Sequence, residues 1–229
     1  MRKGNVEALI KNAEEELVAI RAEYDRSLRQ REIDVNLRID IKKLCESLRS
    51  SLDYVAHDIR EKHCPSAKPN DRFYFPILPD AASFKKKVAT WFPGLQANDP
   101  RVWNALESIQ PYQTGFDWLG LFNRLNNENK HGDLVEQTRT ETHRVNVTMQ
   151  DGGSVSWDPA GVKFGAGVFV GGVPVDPSTQ MPVPHPSQTV EKMIWVDFRF
   201  KGIDVSAIDL ISRSVSGVKT IVTQIYSIL

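Results

Sequence analysis

Arg124, Asn127 and His131 follow one another at spacings of three and four residues, which sets a guanidinium, an amide and an imidazole on one side of a helix. These groups suit phosphodiester chemistry. An imidazole that titrates near neutrality takes a proton from a ribose 2′-hydroxyl, or returns one to a leaving oxygen. A guanidinium stabilises the charge that builds on a phosphate in transit. The Asn127 amide would orient the phosphate or the histidine. A site of this kind needs neither a metal nor a cofactor, and none is expected. The same residues also have a structural reading as a satisfied hydrogen-bond network at a core boundary. The opposing stripe, Trp118, Leu121, Phe122 and Leu125, is apolar and must be buried.

A second polar cluster lies upstream. Arg49, Asp53 and His57 are spaced by four residues and form a stripe beside an apolar seam. If their helix packs against residues 116–131, Asp53 is placed to orient His131 and Arg49 to add charge, with Lys130 alongside. The plainer reading is an ion pair on a solvated helix face. Asp53, His57, Glu128 and His131 are chemically able to ligate a metal. They contain no local pair such as His-x3-His, so no metal site is assigned. Gly165, Gly167 and Gly171 fit neither a dinucleotide nor a P-loop spacing, and read as hairpin glycines. Lys85–Lys87 reads as solvated surface, and Phe73, Tyr74, Phe75, Trp91, Phe92 and Trp103 as core packing.

The elements that must position these groups are mostly helical. Val6, Ile10, Ala13, Leu17, Ile20 and Tyr24 repeat as a heptad seam, and Ile41, Leu44, Leu48, Leu52, Val55 and Ile59 repeat likewise. Asp34 or Asn36 is suited to cap the second helix, so the two are expected to form an antiparallel hairpin. Four prolines surround Arg72–Ile77, which reads as an extended segment draped over the helices. Short helices are expected at 81–90 and 100–109, the latter after an Asn98-Asp99-Pro100 start. The next runs from about Phe116 to a stop at Gly132.

Residues 139–202 read as β structure. Val145–Met149 and Ser154–Trp157 flank an Asp151-Gly152-Gly153 turn, 174–188 is a proline-rich loop, and Ile194–Phe200 alternates as a strand. A final helix carries Ile208, Ile211, Val215, Val218, Val222, Ile225 and Leu229, with Ser206 as a cap candidate. The expected fold is mainly α with a β insertion (α+β). A bundle at 1–138 is interrupted by a small antiparallel sheet at 139–202, and 203–229 returns to the bundle.

Composition narrows the functional classes. The chain has 229 residues, and its 29 Lys plus Arg balance 29 Asp plus Glu, which leaves no overall field for extended DNA binding. Two cysteines are too few for a disulfide framework and read as reduced thiols. The first residues lack the apolar run of a signal peptide, and no stretch of about 18 apolar residues exists. A cytoplasmic protein without membrane contact is expected.

Arg124, six intervening residues and His131 on a bundle helix resemble the Arg-x(4–6)-His signature of HEPN-domain ribonucleases. The residue after the arginine is Leu125, where that family usually has a polar one. The chain is also similar, over about residues 37–134, to uncharacterised bacterial proteins that share a helix like Leu48–Ala56 and a later Asn127-x-x-Lys130-His131. The HEPN resemblance implies a metal-independent endoribonuclease of toxin or defence type, acting on RNA as a homodimer. Arg124 and His131 would be its catalytic pair and Asn127 an assisting residue. The competing expectation is a noncatalytic scaffold that pairs with itself or a helical partner.

Overall fold

The structure is a computed structural model describing residues 1–30, 34–131, 137–159, 161–200 and 205–229. Side chains are described there except at 28–30, 128–131, 137–140, 142–144, 191–196 and 198. The fold is mainly α with an inserted β region, as expected. Among the described residues it has seven helices and two three-stranded antiparallel sheets, the sheets preceding the last helix. The chain divides into two compact units, one of Met1–Thr138 with Arg199–Leu229 and the other of Arg139–Phe198. Among the described residues no helix is long and apolar enough to cross a membrane.

The first unit is built on two long helices, α1 (Lys3–Gln30) and α2 (Val35–His63). Asp34 caps α2, accepting the Asn36 N–H at 2.7 Å. Arg2 at the start of α1 bonds Asp58 and Glu61 near the end of α2, so the pair is antiparallel. Their apolar seams are buried, apart from half-exposed Leu17. Four shorter helices follow: α3 (Ala81–Trp91), α4 (Leu95–Asn98), α5 (Pro100–Ser108) and α6 (Asp117–His131). The single turn of α4 was not expected; it begins at Gly94, whose φ of 81° favours glycine. Asp99 caps α5 by accepting the N–H groups of Arg101 and Val102.

The last helix, α7 (Ala207–Ile228), packs on α1, α2, α5 and α6. It is apolar on a wide face because it meets several partners, and Leu210, Ile211, Val215, Val218, Val222 and Ile225 are all buried. Ser206 precedes α7, but its side chain makes no capping hydrogen bond. Trp118 of α6 packs against α7 at Gly217, where a Cβ would collide with the indole.

The second unit contains β1 (Gln137–Met149), β2 (Ser154–Trp157), β3 (Phe169–Val170), β4 (Val173–Asp176), β5 (Met181–Pro182) and β6 (Gln188–Phe200), the first and last running into the boundary. One sheet has the order β2-β1-β6, the other β3-β4-β5. Val145 pairs Trp157 and Val147 pairs Val155 across the first hairpin. The proline-rich stretch 174–188, expected as a loop, instead contributes two short strands. Pro174 lacks an N–H but offers its carbonyl to the Val183 N–H, while Val173 and Val175 point inward. Val145, Val147 and Trp157 form a small core, with Phe164 meeting Trp157 edge to face.

Two features of the helical unit carry consequences for stability. Burial alone would raise the Asp58 carboxyl. The Tyr226 hydroxyl and the Arg2 N–H and guanidinium outweigh that and hold it below its ordinary value. A carboxylate lowered on folding contributes stability above its unfolded pKa of about 4, and that contribution is lost as pH falls through the folded value. Asp58→Asn is expected to lower stability by about 2 kcal/mol at neutral pH and to flatten the loss below about pH 4. Urea titrations at both pH values check this. Gly217→Ala, ordinarily worth about 1 kcal/mol of helix stabilisation, is expected to lower the melting temperature instead. Overpacking against Trp118 costs about 1–3 kcal/mol and reverses the sign.

Candidate functional site

Helix α6 has two faces. Trp118, Leu119, Phe122, Leu125 and Asn126 are buried, whereas Arg124 and Asn127 are exposed. Helical periodicity sets positions 124, 127 and 131 within about 60° of arc on the outer face. The side chains of Glu128, Lys130 and His131 lie outside the described residues. Leu125, directly after Arg124, belongs to the buried stripe.

The upstream polar stripe holds another part of the chain. After α2 the chain turns back through residues 64–78, and the residues of α2 hold it. The Arg60 guanidinium donates to the Lys68 carbonyl at 2.8 Å and lies 4.2 Å from the Phe73 ring centre. His57, exposed on α2, meets the Phe73 ring edge to face at 4.5 Å. One turn earlier, Asp53 accepts the Phe75 N–H at 2.8 Å and Arg49 donates to the Phe75 carbonyl at 3.1 Å. Arg49 and Asp53 are themselves paired at 3.3 Å.

Both backbone groups of Phe75 are thus satisfied by one ion pair, in place of a neighbouring strand. Gln110 repeats the device. Its amide donates to the Pro76 carbonyl and its oxygen accepts the Leu78 N–H, with the side chain fully buried. Asp53 is therefore engaged with Phe75 and Arg49; the expected partner of Asp53 on α6, the His131 side chain, lies outside the described residues.

Arg49 does reach α6, through Asn123. Its Nη1 donates to Asn123 Oδ1 at 3.1 Å. This contact closes one side of a pocket of about 400 Å³ lined by Arg49, Tyr74, Trp91, Asn123, Asn126 and Asn127. Asn126, 2% exposed, donates from Nδ2 to the Phe122 carbonyl at 3.0 Å. Its Oδ1 is buried without a hydrogen-bond partner. Tyr74 and Trp91 meet edge to face at 6.2 Å, with Lys87 5.5 Å from the Trp91 ring centre. Tyr74 is 50% exposed, and both rings are pocket walls together with the buried Phe75 and Ile77, whereas Phe92 and Trp103 are buried elsewhere in the core.

Asn123, Asn126, Tyr74 and Trp91 were not among the expected site residues. Signals for two of them exist. Asn126 falls at i+8 from Trp118 and i+4 from Phe122, a polar residue in a buried register. Tyr74 alternates with Phe73 and Phe75 in an extended segment, and so faces the other way.

Among the described residues, no group of three or more His, Cys, Asp or Glu is placed to hold a metal ion. Cys45 and Cys64 are buried free thiols, and burial pushes Cys45 up to about 12 and Cys64 to about 11. Neither is poised as a nucleophile. Comparisons with family models, curated proteins and solved structures find no match to this chain.

Asp53→Ala is expected to cost about 2 kcal/mol by leaving the Phe75 N–H unpaired. Asp53→Asn, which keeps an acceptor for that N–H, is expected to cost less. Denaturant midpoints at constant m-value distinguish the two, and equal losses would refute the backbone clamp.

Proposed function

We propose that the outer face of α6 is a metal-independent RNA-cleaving surface of toxin or defence type. The observation that carries this reading is the exposure of Arg124 and Asn127 on a helix whose other face is buried. In the proposed reaction His131 takes the 2′-hydroxyl proton as the 2′-oxygen attacks phosphorus. The bond to the 5′-oxygen breaks, and a protonated imidazole supplies that oxygen's proton. The products are a 2′,3′-cyclic phosphate and a 5′-hydroxyl. Arg124 neutralises the phosphorane charge, and Asn127 positions the phosphate. The HEPN resemblance further implies a homodimer, in which a second copy supplies the second imidazole.

A second reading, a noncatalytic helical scaffold, draws on the polar stripe of α2. Arg49 and Asp53 hold the chain rather than a ligand, as a structural network would. The two readings divide at Arg124. On the proposed reading, Arg124→Ala reduces cleavage of single-stranded RNA in EDTA at least 100-fold with an unchanged melting temperature, the loss of one oxyanion-type contact being worth about that factor. His131→Ala is expected to remove activity to a similar extent, and 2′-deoxy substrate to resist cleavage. Wild-type protein that leaves RNA intact, together with a strongly destabilised Arg124→Ala variant, would favour the scaffold.

A further inference from the structure

The pocket beside Asn126 has chemistry that neither the proposed cleavage nor the clamp uses. Its amides have defined orientations. Asn126 Nδ2 is tied to the Phe122 carbonyl; turning the amide over would set oxygen against oxygen, so Oδ1 is the atom left to accept. Asn123 Oδ1 receives the Arg49 guanidinium, which leaves its NH2 group as a donor. These residues are separated by three positions, so a donor and an acceptor stand side by side on one helix. The guanidinium does not make this an anion site, because Asp53 pairs it at 3.3 Å and the Phe75 carbonyl takes another N–H. What remains is an amide donor and an amide acceptor beside the Tyr74 and Trp91 rings, with Phe75 and Ile77 completing the lining and Lys87 5.5 Å from the Trp91 ring centre, in a volume at the lower end of small-ligand pockets.

We infer that this pocket is a nucleobase subsite, where a base packs against Tyr74 or Trp91 and gives an N–H to Asn126 Oδ1. Each natural base carries an N–H next to an acceptor on its pairing edge, which matches Asn126 and Asn123 in turn. Stacking on an aromatic side chain is tolerant of base identity. Choosing a nucleobase over other planar amides rests on the proposed RNA reading. Asn127, which lines the same pocket and belongs to the exposed face of α6, would join a bound base to the phosphate that follows it.

The test is binding to the full chain, followed by calorimetry or NMR. The probes are AMP and UMP, their N6,N6-dimethyl and N3-methyl analogues, and hexamers of A and U. AMP and UMP are expected to saturate, and methylating the donor N–H to weaken binding at least ten-fold. Asn126→Leu is expected to erase that difference. Tyr74→Ala, at a half-exposed position, is expected to weaken both nucleotides about ten-fold without changing the melting temperature. Hexamers that bind more tightly than mononucleotides identify RNA as the source of the base; binding of mononucleotides alone identifies a free nucleotide. No saturable binding by any probe, or methylated analogues that bind as well as their parents, would overturn the subsite. The two proposals fail separately. Base binding that persists in a protein unable to cleave RNA removes only the nuclease reading, and cleavage without methyl discrimination removes only the pocket.

Discussion

Residues 73–78 lie against helices with, among the described residues, no strand beside them, and the backbone polar groups buried there still require partners. The ion pair of Arg49 and Asp53 and the amide of Gln110 meet that requirement, and much of the helical unit depends on it. With Phe75 held at both its N–H and its carbonyl, Phe75 turns into the core and Tyr74 turns out. The same guanidinium reaches Asn123, so the draped segment, α2 and α6 meet at one side chain. A part-buried pair of this kind adds little stability relative to an apolar one, but leaving half of it unpaired is costly. Its effect is to hold the segment in one register.

Helix α6 converts that register into a surface. Its buried stripe meets α7 through Trp118 against Gly217, a contact so close that an added Cβ would force the indole or the helix to shift. With Trp118, Leu119, Phe122 and Leu125 buried, Arg124 and Asn127 face outward. Asn126, one position from Asn127, is carried into the interior with its oxygen unpaired. The proposed cleavage face and the proposed base subsite are adjacent because they are neighbouring sectors of one helix. A site built on a packed helix is held more closely than one built on a loop.

The β unit solves a related problem with a similar device. Gln180, at a φ of 58°, accepts the Phe164 N–H and donates to the Phe164 carbonyl. A glutamine again stands in for a strand, and it places Phe164 against Trp157. Strands of two to four residues, two of them containing proline, give the second sheet few ladder bonds, so side-chain clamps supplement them.

Local rules were enough for the long elements. Seams in α1, α2 and α7, the Asp34 and Asp99 caps, and the outward face of α6 all follow from periodicity and capping chemistry, which act over a few residues. The turn of α4 and the strands at 173–176 and 181–182 were not legible, because proline and short length conceal them. The polar stripe on α2 was visible as a stripe, but its partner was not. Arg49 and Asp53 stand 26 and 22 residues from Phe75. Nothing in their spacing separates a catalytic support from a backbone clamp. Which residues share a helix face is a property of the chain's own periodicity; which of those faces meets which backbone depends on packing between distant segments, and only the folded structure decides it.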